Sequence, residues 1–68
     1  MINIGKRIKE IRTDNGFSQE KLGKLLSVSQ DTISLWEKGK SVPTTEFLIA
    51  LATQFDVSVD YILCLKDY

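Results

Sequence analysis

The sequence lacks the residue types that stabilise small proteins through disulfide bonds or bound metal ions. It contains no histidine and a single cysteine, Cys64, among 68 residues. One cysteine cannot form an intrachain disulfide, and the usual zinc ligand sets cannot be assembled without histidine. The same absences leave no pairing of a nucleophile with a base, and there is no phosphate-binding glycine motif or complete calcium loop. The composition therefore argues against an enzyme and predicts neither a metal nor a cofactor.

Long apolar runs are also missing. Apolar runs such as residues 61–65 are far too short to span a bilayer, and the N-terminus has no stretch resembling a signal peptide. A chain of 68 residues, 43% of them hydrophobic, has room for one core and no second one. We therefore expect one soluble domain over residues 1–68, in a reducing cytoplasm, with no membrane partner and no evident small-molecule site.

Net charge is absent as well, because nine basic residues balance nine acidic ones. The distribution is uneven along the chain. Residues 1–12 carry one acidic side chain, Glu10, against four basic ones, which are Lys6, Arg7, Lys9 and Arg12. From residue 43 onward one basic side chain, Lys66, stands against Glu46, Asp56, Asp60 and Asp67. Neutrality alone argues weakly against a polyanionic partner, but the N-terminal part is basic and the C-terminal part acidic.

Helical periodicity and turn residues dominate what the sequence does contain, and they predict an all-α protein. The five predicted helices cover residues 4–14, 18–26, 29–38, 44–55 and 58–65. Serines at the starts of the second, third and fifth are typical N-caps: Ser18, Ser29 and Ser58. In the first helix Ile4, Ile8 and Ile11 form one apolar stripe, which ends at Asn15-Gly16. In the second, Leu22, Leu25 and Leu26 are predicted to point inward.

Two of these helices form a recognisable unit. The second and third are short, are joined by a three-residue turn, and leave the polar side of the third free. That arrangement is the helix-turn-helix, which presents its second helix to the DNA major groove. Val28, Ile33 and Trp36 are spaced to attach the third helix to the core. The phase that Trp36 shares with Ile33 favours a core role over a stacking platform for a base.

Residues 19–38 resemble the helix-turn-helix of the phage Cro and repressor family, the XRE-type regulators. That family's apolar positions are occupied by Leu22, Leu26, Val28, Ile33 and Trp36, and Gly23 stands at its small-residue position. The stretches "IGKRIKEIR", "WEKGKSVPT" and "FDVSVDYIL" are similar to further family signatures in the same order. One departure is Ser27, at a turn position that is usually glycine. The resemblance implies a compact five-helix bundle of the lambda-repressor-like type with a central helix-turn-helix.

The resemblance also implies a function. A family member is expected to be a sequence-specific double-stranded DNA-binding transcription regulator, by default a repressor, that binds a palindromic operator as a homodimer. It would be bacterial or phage-encoded, cytoplasmic, and associated with the nucleoid when bound. The alternative is a protein-interaction module, or an antitoxin component, that keeps the fold with weak or no DNA binding. Zero net charge and Asp31 favour this alternative.

The predicted base contacts lie on the third helix: Gln30, Asp31, Thr32, Ser34 and Leu35. Gln30 can bond adenine N6 and N7 together, and Thr32 and Ser34 offer hydroxyls. Asp31 has two open interpretations, since it can accept a bond from cytosine N4 or serve only the helix dipole. Leu35 can meet a thymine methyl unless it turns into the core.

The predicted phosphate contacts surround that helix: Gln19, Ser29, Lys38 and Lys40. Gln19 stands at the start of the second helix, where free N–H groups favour an anion, although a solvated first-turn residue is the simpler alternative. For Lys6, Arg7 and Lys9 a phosphate contact and a solvated surface are equally compatible with the sequence.

Two structural roles complete the prediction. The resemblance implies that Arg12 pairs with Glu37, which would attach the third helix to the first and remove Arg12 from the set of phosphate ligands. The C-terminal part holds more apolar residues than so short a tail can bury, which favours self-association. The predicted dimer interface consists of Phe55, Val57, Tyr61, Ile62 and Leu65.

Overall fold

The computed structural model describes residues 3–68 and contains five helices. They are α1 (Ile4–Asp14), α2 (Gln19–Leu26), α3 (Gln30–Glu37), α4 (Thr45–Phe55) and α5 (Val59–Ile62). No strand occurs within these residues, so the all-α prediction is confirmed. The fifth helix ends at Ile62 rather than at residue 65, because Cys64 adopts a left-handed backbone with a φ of 63°.

Side-chain caps account for most of the helix starts. Ser18, Ser29 and Ser58 each accept a hydrogen bond from the backbone N–H three residues along, and Asn3 does the same for α1. Each cap satisfies one of the N–H groups that a helix start leaves without an acceptor. Because the cap itself precedes the helix, α2, α3 and α5 begin one residue later than the predicted ranges.

The core is entirely apolar and draws on every helix. One fully buried side chain comes from each of the five: Ile8, Leu22, Ile33, Leu51 and Ile62. Leu25 was predicted to point inward, but it is 39% exposed because Leu22 and Leu26 occupy the buried side of α2. No helix between residues 3 and 68 has the length and apolar character that crossing a membrane requires.

Two glycines permit the helices to touch backbone to backbone. A Cβ atom at Gly23 would lie 2.7 Å from the carbonyl oxygen of Val28, so α2 packs directly on the turn before α3. A Cβ atom at Gly5 would overlap the carbonyl oxygen of Trp36 and lie 2.9 Å from that of Glu37. The first approach was expected from the sequence, and the second was not. Together they hold α3 between α1 and α2.

The turn between α2 and α3 depends on a left-handed residue that is not glycine. Ser27 ends α2 with φ 61° and ψ 38°, a conformation in which its Cβ is crowded. We expect Ser27→Gly to raise the free energy of unfolding by about 1 kcal/mol, because glycine adopts this conformation without strain. Urea denaturation followed by circular dichroism measures the change. Ser27→Ala retains the Cβ and should give no gain; equal stabilisation by both variants would contradict the strain argument.

Candidate nucleic-acid interface

The third helix presents different chemistry on its two sides. Ile33 and Trp36 are buried, and the Trp36 ring packs against that of Phe47 with the centroids 5.3 Å apart. Trp36 is therefore a core residue, as its spacing predicted. Asp31 is exposed on the opposite side, Gln30 is exposed at the start of the helix, and Leu35 is 43% exposed rather than turned into the core. This outer side of α3 offers an amide, a carboxylate and an apolar tip to the surroundings.

The hydroxyl groups near the start of α3 are engaged with one another. The Ser29 side-chain oxygen accepts a bond from the Thr32 N–H at 3.2 Å, and the two side-chain oxygens lie 3.0 Å apart. Ser29 therefore acts first as a helix cap. Thr32 and Ser34 are half-buried. Asp31 lies in the first turn, where the helix dipole stabilises its charge, and both interpretations of this residue remain compatible with its position.

A chain of polar side chains connects α2 to both ends of α3. Gln19 donates from Nε2 to Glu37 Oε1 at 3.1 Å, and Gln30 Nε2 lies 3.5 Å from Gln19 Oε1. A carboxylate only accepts, so Glu37 requires the nitrogen of the Gln19 amide, and the amide oxygen is left facing Gln30. Gln19 is consequently half-buried and bridging rather than solvated. Its side chain helps to orient Gln30, while the first N–H groups of α2 have no intrahelical acceptor.

Glu37 is held chiefly by Arg12. Arg12 donates from Nε to Glu37 Oε2 at 2.6 Å and from Nη2 to Oε1 at 2.9 Å. Its Nη1 group donates to the Phe17 carbonyl at 2.9 Å. The side chains are only 11% and 4% exposed, and this contact is the pair that the family resemblance implied. With three of its donors used inside the protein, the Arg12 guanidinium is not directed at a phosphate.

The electrostatics of this pair keep both partners charged. Burial alone would raise the pKa of Glu37, but hydrogen bonds from Arg12 and Gln19, with the charge of Arg12, outweigh burial and lower it. The hydrogen bond to Glu37 raises the pKa of Arg12 in turn. Because a carboxylate and a guanidinium in a bidentate contact define distance and angle together, the pair fixes the C-terminal end of α3 relative to α1.

The candidate basic side chains are of two kinds, exposed lysines and one arginine that is bound within the molecule. Lys38, which caps the end of α3, and Lys40, in the following loop, are exposed. Lys6 and Lys9 are exposed on α1. Arg7 fits neither of its two predicted roles, because its Nη1 donates to the Tyr61 carbonyl at 2.7 Å and its guanidinium lies over the Tyr61 ring. Arg7 therefore connects α1 with α5 inside the molecule.

The predicted dimer interface requires one correction. Ile62 is fully buried in the core of the single chain, so the expectation that it contacts a partner is wrong. The side chain points inward because α5 must bury one apolar residue to attach to the bundle. Phe55 is half-buried edge-on against Phe17, with centroids 5.3 Å apart. Val57 and Tyr61 are half-buried and line a groove of ≈ 440 Å³, and Leu65 is 61% exposed.

Three contacts of the structure were not predicted from the sequence. The glycine at position 5 is unfavourable inside a helix, but the sequence does not indicate which element contacts it. No local signal indicates that Arg7 meets the carbonyl of Tyr61, because the two residues lie 54 positions apart. No local signal indicates the contact between Gln19 and Glu37 either, because only the arrangement of α2 beside α3 brings these residues together.

The family model of helix-turn-helix domains matches residues 8–62, which include all or part of each of the five helices. This chain belongs to the helix-turn-helix family. The relatives are named as helix-turn-helix transcriptional regulators and a phage repressor, not as enzymes. The predicted family and its lambda-repressor-like fold are thereby confirmed.

Individual relatives of this helix-turn-helix domain include regulators and a phage repressor. The regulator ImmR of Bacillus subtilis is 32% identical over 91% of this chain. Repressor protein C2 of Salmonella phage P22 is 38% identical over 88% of it. The P22 c2 repressor solved with the synthetic operator 9T superposes with a TM-score of 0.81, at 38% identity, covering 88% of this chain and 91% of that one.

The biofilm regulator SinR, solved in complex with DNA, has a TM-score of 0.79 at 33% identity, covering 88% of this chain and 97% of that one. The chain nevertheless spans only part of the curated relatives it matches, 49% of ImmR and 28% of repressor protein C2. The likeness therefore concerns the helix-turn-helix domain of those proteins.

Proposed function

We propose that this domain is a sequence-specific double-stranded DNA-binding transcription regulator, acting as a repressor in the cytoplasm, that reads the major groove with α3. The observation that carries the proposal is the polar outer side of α3, which is free while its apolar side is buried. A helix of this width fits the major groove, where each base pair presents its own pattern of donors and acceptors. The DNA complexes of the P22 c2 repressor and SinR support it.

The exposed and half-buried polar residues of α3, together with Leu35, are proposed to contact bases. Gln30 contacts adenine N6 and N7, and its amide nitrogen lies 3.5 Å from Gln19 Oε1 on the neighbouring helix. Asp31 accepts from cytosine N4, and Leu35 contacts a thymine methyl. Thr32 and Ser34 contribute hydroxyl contacts.

Phosphate contacts are proposed on either side of the residues of α3 that contact bases. Lys38 and Lys40 are exposed next to the end of α3. At the start of α2, the backbone N–H of Gln19 is a better phosphate donor than its side chain, which already bonds Glu37. Ser29 can donate its hydroxyl while its oxygen caps α3. Because Lys38 and Lys40 are the only cations proposed to contact phosphates, we expect a single domain to bind DNA weakly.

Self-association is proposed to supply the missing affinity. Two domains with their α3 helices about 34 Å apart would contact successive turns of a palindromic operator. The partly exposed apolar side chains near the C-terminus provide the surface: Phe55, Val57, Tyr61 and Leu65. Their apolar area favours a second copy over solvent.

The experiment that tests base reading is selection from a random DNA pool at low salt with wild type and with Gln30→Ala. We expect wild type to enrich a palindromic or half-site consensus, and Gln30→Ala to lose preference at one adenine at a cost of about 1–3 kcal/mol. Gln54→Ala removes an exposed glutamine on α4 and should leave the consensus unchanged.

Lys40→Ala separates the two kinds of contact, because it should weaken binding to all sequences alike and reduce the salt dependence. Enrichment of no consensus by wild type would overturn the regulator and favour the protein-interaction module that keeps this fold. A consensus that Gln30→Ala does not alter would leave the regulator and overturn the role of Gln30.

A further inference from the structure

Arg7 is a basic residue of α1 whose side chain is held by contacts within the molecule and is only 18% exposed. Its Nη1 group donates to the Tyr61 carbonyl at 2.7 Å, and its guanidinium carbon lies 4.1 Å from the centre of the Tyr61 ring. Its Nε lies 3.5 Å from Glu10 on the same helix, which holds the side chain from the other side. The hydrogen bond and the ring contact therefore both involve Tyr61 of α5.

The element that Arg7 holds is short. α5 consists of four residues, too few to be stable alone, and it packs on the core through the fully buried Ile62 and the half-buried Val59 and Tyr61. The carbonyl that Arg7 binds also accepts from the Cys64 N–H at 3.1 Å, so Arg7 acts as a C-terminal cap delivered by another helix. The apolar contacts of α5 resist its separation from the core but are not directional, whereas the hydrogen bond from Arg7 is directional and adds a defined orientation.

The same helix, α1, also determines where the DNA-reading helix lies. Gly5 lets α1 touch the carbonyl oxygens of Trp36 and Glu37, and Arg12 binds the Glu37 carboxylate. Along α1, residue 5 therefore contacts α3, residue 7 contacts α5, and residue 12 contacts α3 again. The helix α1 therefore connects α3, which carries the proposed base contacts, with α5, which carries Tyr61 of the proposed self-association surface.

We propose that Arg7 is a positioning residue that sets the spacing and orientation of the two α3 helices in the dimer, and hence the half-site separation the protein accepts. The inference rests on the proposed self-association through the C-terminal residues. A rigid connection between two binding modules concentrates the gain from the second contact at one geometry, and a loose one spreads a smaller gain over several. Tyr61 contributes both to the self-association surface and to the contact with Arg7, so loss of the contact loosens the connection itself.

The test is a series of operators carrying two selected half-sites whose centres are moved apart one base pair at a time, with a single half-site as reference. Wild type should show a gain over the single half-site that peaks at one separation, about 10-fold or more above the flanking separations. Arg7→Gln should bind the single half-site within about twofold of wild type, with the peak reduced about 10-fold and flattened. Arg7→Lys keeps the charge but not the planar fork, and should give an intermediate profile.

Lys6→Gln is the matched control, because it removes the same charge from an exposed position of α1 and should keep the peak. A peak that Arg7→Gln and Arg7→Lys leave as sharp as in wild type would overturn the inference alone. An equal loss by both variants at every separation and at the single half-site would mean a merely structural role and would also overturn it. No gain at any separation with wild type would overturn the proposed self-association, and this inference with it.

Discussion

Arg12→Met is expected to lower the free energy of unfolding by about 3–5 kcal/mol, because it leaves the buried Glu37 carboxylate without its cation. Gln19 would be the only side chain in the described residues still bonded to that carboxylate. A loss of this size approaches the total stability of a domain this small. Urea denaturation monitored by the fluorescence of Trp36, the single tryptophan, measures it.

The chain supplies its own control for this result. Lys24 and Glu20 form an exposed pair one helical turn apart, with Nζ and Oε1 separated by 3.3 Å. Lys24→Met should therefore cost no more than about 0.5 kcal/mol. The double variant Arg12→Met/Glu37→Leu, which removes both buried charges, should recover much of the loss. Equal effects of Arg12→Met and Lys24→Met would show that burial of the Arg12–Glu37 pair has no energetic consequence.

Acid provides a second measurement of the same pair. The pKa of Glu37 is lowered in the folded protein, so its stabilising effect is complete above the unfolded pKa of a glutamate, about 4.3, and disappears as the pH falls through the folded value. Arg12→Met removes the hydrogen bond and the charge of Arg12 that lower this pKa and keeps the burial that raises it. Arg12→Met should therefore lose less stability than wild type on acidification; parallel pH profiles would contradict the assignment.

Gly5→Ala is expected to lower the free energy of unfolding by about 3 kcal/mol, although alanine is the better helix former by about 1 kcal/mol. The new Cβ would overlap the carbonyl oxygen of Trp36, and neither this atom nor the Glu37 carbonyl beside it can move without moving α3. Backbone atoms cannot rotate away as the end of a flexible side chain can. Thermal and urea denaturation of the purified variant measure the loss.

Gly16 distinguishes lack of space from backbone strain. It has a φ of 73° in the turn after α1, and nothing lies within 4 Å of a Cβ built on it. Gly16→Ala should therefore cost only about 1 kcal/mol, the ordinary penalty for a side chain in that conformation. A Gly5→Ala variant as stable as wild type, or more stable, would mean that α1 and α3 can separate at little cost.

Local signals explain why so much of the fold was predictable. Ser18, Ser29 and Ser58 act within three residues of themselves, so helix starts can be inferred from the chain alone. The inward phase of Ile33 and Trp36 follows from helical periodicity and agrees with their burial. Leu25 shows the limit of this reasoning, because a helix as short as α2 buries only part of a wide apolar face.

The candidate site was predictable only in part, because residue type does not reveal a partner that is distant in sequence. The outward position of Asp31 and Leu35 follows from the phase of the helix, because both lie on the side opposite Ile33. Gln30 is three residues from Ile33 and is exposed as the first residue of α3. Gln19 was expected at a phosphate or in solvent, yet its side chain lies against Glu37, 18 residues away.

By itself, the sequence determined an all-helical chain with a helix-turn-helix, the boundaries of its helices to within about a turn, and which side of α3 faces outward, since these depend on neighbours within one or two turns. The tertiary structure alone decided that Gly5 is a helix contact, that Arg7 is bound to α5 instead of solvent, and that Ile62 belongs to the core. Each of these depends on which helices meet and at what distance, and many different packings are compatible with the same apolar pattern.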